Sequence, residues 1–61
     1  MNPDSLKPGC VYKIFDNDYA IFLEKIDNGL YVEKRYCFYS LKNKRKFVRI
    51  FDVVERRVKE L

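Results

Sequence analysis

"SLKNKRKFVR" spans Ser40–Arg49, and the length of the turn inside it decides which side chains of the two flanking strands share a face. Five of its residues are basic (Lys42, Lys44, Arg45, Lys46 and Arg49) and none is acidic. The strand before it reads as "LYVEKRYCFY" (Leu30–Tyr39) and the strand after it as "RKFVRIF" (Arg45–Phe51). A slip of one residue in a hairpin moves every side chain to the opposite face. An odd turn, such as Lys42-Asn43-Lys44, groups Leu30, Val32, Tyr36 and Phe38 with Val48 and Ile50 as a core face. It leaves Tyr31, Arg35 and Tyr39 with Arg45, Phe47 and Arg49 as a face of interleaved aromatics and arginines. An even turn sets Arg49 beside Tyr36 and mixes the two sets. Burial of apolar surface favours the odd turn, which is the register expected here.

Working outward, turn signals divide the chain into further strands. "LKPG" (Leu6–Gly9) precedes "CVYKIF" (Cys10–Phe15), because Pro fixes its φ and Gly permits a sharp exit. "DND" (Asp16–Asp18) separates that strand from "YAIFLEKI" (Tyr19–Ile26), and "DNG" (Asp27–Gly29) is a strong hairpin signal. Leu30–Tyr39 is too long to run straight in a small domain and calls for a bend or bulge. After Phe51 the period changes. Phe51, Val54, Val58 and Leu61 recur at helical spacing, and Asp52 with Glu55 has the form of a capping box. A helix over Asp52–Leu61 is expected, with a final strand through "FDVVE" as its competitor.

These elements give a mainly β fold: a four- to five-stranded antiparallel meander with a short C-terminal helix. Several strands are apolar on both faces, so the sheet has to curl into a strongly bent, SH3-like small barrel. "LKPGCVYKI" (Leu6–Ile14) resembles the first turn and strand of many such barrels, over nine residues. The likeness is shared with the toxin barrels of plasmid-maintenance systems. Those chains are longer, and nothing here matches a catalytic pattern of theirs.

A chain of 61 residues is one small domain, here 1–61 with residues 1–8 read as an N-terminal tail and 52–61 as the helix. Such a chain buries only about 60% of the surface its unfolded form exposes. With 48% hydrophobic residues, five Tyr and five Phe, it folds rather than staying disordered. No apolar run reaches the roughly 20 residues that span a bilayer, and "MNPDSLKPG" lacks the features of a signal peptide, so a cytoplasmic location is expected. Cys10 and Cys37 each lie in an apolar run, form no C-x-x-C pair, and are expected to be reduced and buried.

Chemistry for catalysis is sparse. The chain has no His and only Gly9 and Gly29, so a ready general base, a zinc set and a phosphate loop are all missing from the sequence. Ser5 and Ser40 are the only serines, and Ser40 sits in a turn. Asp16, Asn17 and Asp18 are too few oxygen donors for a calcium loop. No enzyme activity, metal or cofactor is expected.

The charge pattern is more informative. Residues 1–33 carry a net −3, residues 34–49 a net +7, and residues 50–61 a net zero. A single-sign block creates a field that draws polyanions. The expectation is a small basic protein that binds DNA or RNA through the third hairpin, mainly by charge and shape. The residues in question are Arg35, Tyr39, Lys42, Lys44, Arg45, Lys46 and Arg49, with Tyr31 and Phe47 available for stacking. The alternative is a protein-interaction module. It would bind an acidic partner, or self-associate as a homodimer through Phe51, Val54, Val58 and Leu61. Lys-rich hairpin tips also keep edges soluble, which is the plain use of the same residues. Small size and a Lys- and Tyr-rich makeup would suit a phage or mobile-element accessory protein.

Overall fold

Lys7, Pro8, Gly9 and Cys10 form the first tight turn. Gly9 sits at φ +85°, a conformation that favours glycine, and the Cys10 N–H donates to Lys7 O at 3.2 Å. The computed structural model describes residues 1–15, 17–27 and 34–61. From that turn the chain enters β1 (Val11–Ile14), which pairs antiparallel with β2 (Asp18–Ile26). β2 pairs with β3 (Arg35–Ser40), and β3 with β4 (Arg45–Ile50). A helix, α1 (Phe51–Arg57), then carries the chain across to β5 (Val58–Lys59), which returns antiparallel beside β1. The sheet order is β4-β3-β2-β1-β5. A meander whose first strand is joined by a returning fifth is the order expected of an SH3-like small barrel.

The sheet carries a bulge in β2. Its register against β3 shifts between Phe22 and Glu24, so Leu23 is an extra residue. Such a bulge increases local twist and lets the sheet coil. Leu30–Glu33 of the expected long third strand, together with Asn28 and Gly29 of its turn and Asp16 of the preceding one, lie outside the described residues.

The odd third turn does not form. Ser40 pairs with Arg45 across four turn residues, and the register runs Phe38 with Phe47 and Tyr36 with Arg49. Two features select it. Lys44 adopts the left-handed region at φ 54°, and its N–H donates to Ser40 O at 2.8 Å. The buried Ser40 hydroxyl also accepts from the Asn43 N–H at 3.1 Å. The four-residue turn therefore satisfies its own polar groups. Arg49 then escapes burial because its guanidinium lies over Phe47, 4.8 Å from the ring centroid.

The core is aromatic. Phe22, Tyr36 and Phe38 are almost fully buried with Tyr12, Ile14, Ala20, Val54 and Val58. Full burial of each large side chain stabilises the fold by about 1.5–3 kcal/mol, a large share for a domain of this size. Residues 1–8, read from the sequence as a tail, contribute Pro3 and Leu6 to this core through a short 3-10 turn at Pro3–Ser5. Cys37 is buried as expected, but Cys10 is exposed. It ends the Pro-Gly turn at the rim of the sheet, before β1 begins.

The helix is also shorter than its pattern. It starts at Phe51, and its N-cap Ile50 offers no side-chain hydrogen bond, so the expected Asp52–Glu55 capping box is not made. It ends at Arg57 because the β-branched Val58 leaves for the sheet and pairs with Ile14. Val54 and Val58 are buried, and Phe51 packs against the core. The stripe considered for self-association is thus spent within the chain, and only Leu61 of the four remains fully exposed.

Two outcomes follow from this packing. An L residue in the left-handed region costs about 1–2 kcal/mol, partly offset when Gly replaces it by the greater freedom of the unfolded chain. Lys44→Gly should therefore raise stability in a urea titration by about 0.5–1 kcal/mol. A loss of stability would contradict the turn geometry. The Tyr36 hydroxyl is buried and, among the described residues, has no hydrogen-bond partner. Burial first, then the Asp4 and Asp27 carboxylates, push its ionisation above the ordinary phenol range. The native state thus holds this proton more tightly than the unfolded chain, so the stabilising share is present below about pH 10 and is lost as pH rises beyond it. Tyr36→Phe should match or exceed the parent's stability near neutral pH, by up to about 1 kcal/mol, and the gap should widen above about pH 10. A variant less stable than the parent at all pH values would show that the hydroxyl is needed.

Candidate functional site

The observed register divides the residues singled out in the sequence. Partners directly across an antiparallel pair share a face. Arg45, Phe47 and Arg49 lie with Ser40, Phe38 and Tyr36 on the concave side of the sheet. Arg35, Tyr39 and Lys46 lie with Ile50, Cys37 and Val48 on the convex side. Lys42 and Lys44 sit in the exposed turn. The expected face joining Arg35 and Tyr39 to Arg45, Phe47 and Arg49 is therefore split, and Tyr31 lies outside the described residues.

What the fold brings together is a different constellation. Phe15 follows β1 at φ 58°, an uncommon conformation for a bulky side chain. Its N–H donates to Arg57 O at 3.1 Å, which ties this turn to the end of α1. The residue is 37% exposed. The Arg49 guanidinium lies 5.8 Å from the Phe15 ring centroid and 4.8 Å from that of Phe47. Phe47 stacks on the buried Phe38, with ring centroids 5.5 Å apart and planes 16° from parallel. A continuous stack thus runs from the core to the surface: Phe38, Phe47, Arg49, Phe15.

A cleft of about 130 Å³ opens beside this stack, bordered by Phe15, Asp18, Asn43, Arg45, Phe47 and Arg49. A smaller hollow that also touches Phe15, about 70 Å³, is bordered by Arg56, Arg57 and Lys59. Five cations therefore border the two hollows that share Phe15. Among the described residues no carboxylate forms an ion pair with any of the five. Asp18 is the acidic group in the cleft, and it faces Lys42 at 3.7 Å. A wider hollow of about 380 Å³ near Met1, Asn2, Ser5 and Val58–Glu60 is shallow and has no aromatic face.

Sequence reasoning missed Phe15, Arg56 and Arg57 as site residues. Phe15 reads as the last apolar residue of a strand, and nothing in its neighbours signals a left-handed backbone. Arg56 and Arg57 read as the solvent face of a helix, within a segment of zero net charge. Their position beside Phe15 follows only from β5 pairing with β1.

Ser40 is buried and engaged in its turn, and among the described residues no three His, Cys, Asp or Glu side chains come together to hold a metal. Among those residues no helix is long and apolar enough to cross a membrane. Comparison with family models, curated proteins and solved structures finds no match to this chain.

The stack makes the two arginines of β4 unequal. Arg49 interacts with two rings, and a cation–π contact contributes about 0.5–1 kcal/mol at a partly exposed site. Arg49→Ala should lower stability by about 1 kcal/mol, whereas the exposed Arg45→Ala should change it by less than about 0.5 kcal/mol. Equal effects in thermal unfolding would show that the stack does not support the fold.

Proposed function

We propose that this protein is a non-enzymatic nucleic-acid-binding protein whose contact surface is the basic end of the barrel around Phe15. The observation that carries this reading is the grouping of Arg45 and Arg49 about one hollow and Arg56, Arg57 and Lys59 about another, with the exposed Phe15 bordering both. Arginines hold phosphates by charge and directed hydrogen bonds, and exposed rings stack on bases or sugars. A strained backbone at a surface aromatic also fits a functional position, because strain of this kind costs stability and persists where the surroundings hold it. No element resembling a groove-reading helix is present among the described residues, since α1 is short and packs its apolar face inward. Binding rests on phosphates and ring faces, with little sequence preference.

The convex face favours a second reading. Tyr19 and Val48 are each exposed by about two-fifths there, Tyr19 across from Lys13 and Val48 on the same strand face as Lys46. Exposed apolar groups beside lysines suit an acidic protein partner.

One titration separates the two. Binding that engages roughly four phosphates should weaken with salt at a log–log slope of about −3 to −4 on duplex DNA. Replacing Arg45 and Arg57 together by Ala should weaken binding to all sequences alike and make the slope shallower by about two, one per cation. Lys46→Ala, on the opposite face, should leave affinity nearly unchanged. A loss on Lys46→Ala as large as that of the double variant would move the contact to the convex face. No binding to DNA or RNA at low salt would reject the nucleic-acid reading and favour the acidic partner.

A further inference from the structure

We infer that the cleft beside Phe15 takes one unpaired base, so that the ligand of this surface is single-stranded rather than duplex nucleic acid. The inference rests on the nucleic-acid reading above and specifies what enters the site. Size is the first argument. A cavity near 150 Å³ in an engineered protein holds one benzene ring, and the cleft here measures about 130 Å³. One planar ring fits and a base pair does not.

The lining is the second argument. The Arg49 guanidinium, held between Phe15 and Phe47, presents a planar cation beside an exposed aromatic face. Unstacked bases bind on aromatic rings and on guanidinium planes. Asp18, whose carboxylate also faces Lys42 at 3.7 Å, borders the same cleft. That charge repels a phosphate but accepts a hydrogen bond from the amino group of a base, and the Asn43 amide adds both donor and acceptor capacity. The cleft is therefore suited to the uncharged ring of a nucleotide, while the phosphates stay outside it.

The cations are the third argument. Arg45 borders the cleft, and Arg56, Arg57 and Lys59 border the neighbouring hollow that also touches Phe15. A strand with one base in the cleft therefore has cations within reach of its flanking phosphates. A duplex buries its base faces, so it would have to extrude a nucleotide to fill the cleft, at a cost of a few kcal/mol.

The test is a pair of fluorescence-anisotropy titrations on the full chain. One uses a labelled oligodeoxycytidine of about 12 nucleotides, a length within the usual site sizes for single-strand binders, and the other a duplex of equal length. At equal salt the single strand should bind at least ten-fold more tightly. Phe15→Ala should cut single-strand affinity by about ten-fold or more, Phe15→Tyr should retain it, and duplex affinity should be the same for all three. Phe15→Gly relieves the left-handed backbone, so it gives a folded chain without the ring and should bind as Phe15→Ala does. Two results would overturn base insertion while leaving nucleic-acid binding in place: equal or tighter duplex binding, or single-strand affinity unchanged in both Phe15→Ala and Phe15→Gly. Absence of binding to either polymer at low salt would overturn both readings together.

Discussion

The contact between Phe38 and Phe47 is the one on which the rest of the structure depends. It exists only in the register set by the four-residue turn, which in turn requires Lys44 in the left-handed region and Ser40 as a polar brace. With Phe47 on Phe38, the core of Phe22, Tyr36 and Phe38 extends outward to the edge strand. Arg49 then lands on Phe47 rather than in solvent or in the core. The cost of placing a cation next to Tyr36 is met by two ring faces. Shift the register by one residue, and Phe47 turns to the convex side, Arg49 loses its support, and the cleft loses a wall.

Much of the fold was legible in the sequence because its signals are local. Pro8 and Gly9 announce the first turn, alternating apolar residues announce β1 and β2, and the period change after Phe51 announces α1. What was not legible depends on contacts distant in sequence or on unusual backbone states. The sequence points to an odd third turn because an even one sets Arg49 beside Tyr36, a penalty that Phe47 and Phe15 remove. The capping box at Asp52 failed because α1 is held by Val54 and the Tyr36–Phe51 ring contact rather than by its cap. The helix was read too long because Val58 fits a helical stripe as well as it fits β5.

The candidate site was legible in part. Arg45, Phe47 and Arg49 were found through charge and alternation, which β4 preserves. Arg35, Tyr39 and Lys46 share the same charge window yet face the other way. Charge along a sequence reports total field, and only the register reports where that field points. Phe15 left no trace, since positive φ at a phenylalanine is an exception to residue preference.

Core and site also share atoms. The stack that supports β4 is the stack that would meet a ligand, so little of the surface around Phe15 can change without reaching Phe38. In a chain this small, substitutions along that stack act on stability as well as on the surface.

The return of β5 to β1 bears on how the chain reaches this state. Lys13 and Ile14 wait for Lys59 and Val58, partners from nearly the other end of the sequence. Hairpins β1–β2 and β3–β4 can assemble from neighbours within microseconds, but the closing pair must overcome the entropy of a loop almost as long as the chain. The Phe15–Arg57 hydrogen bond sits beside that closure. During synthesis the meander can therefore gather early, while the surface around Phe15 takes shape only once Val58 and Lys59 have left the ribosome and paired with β1.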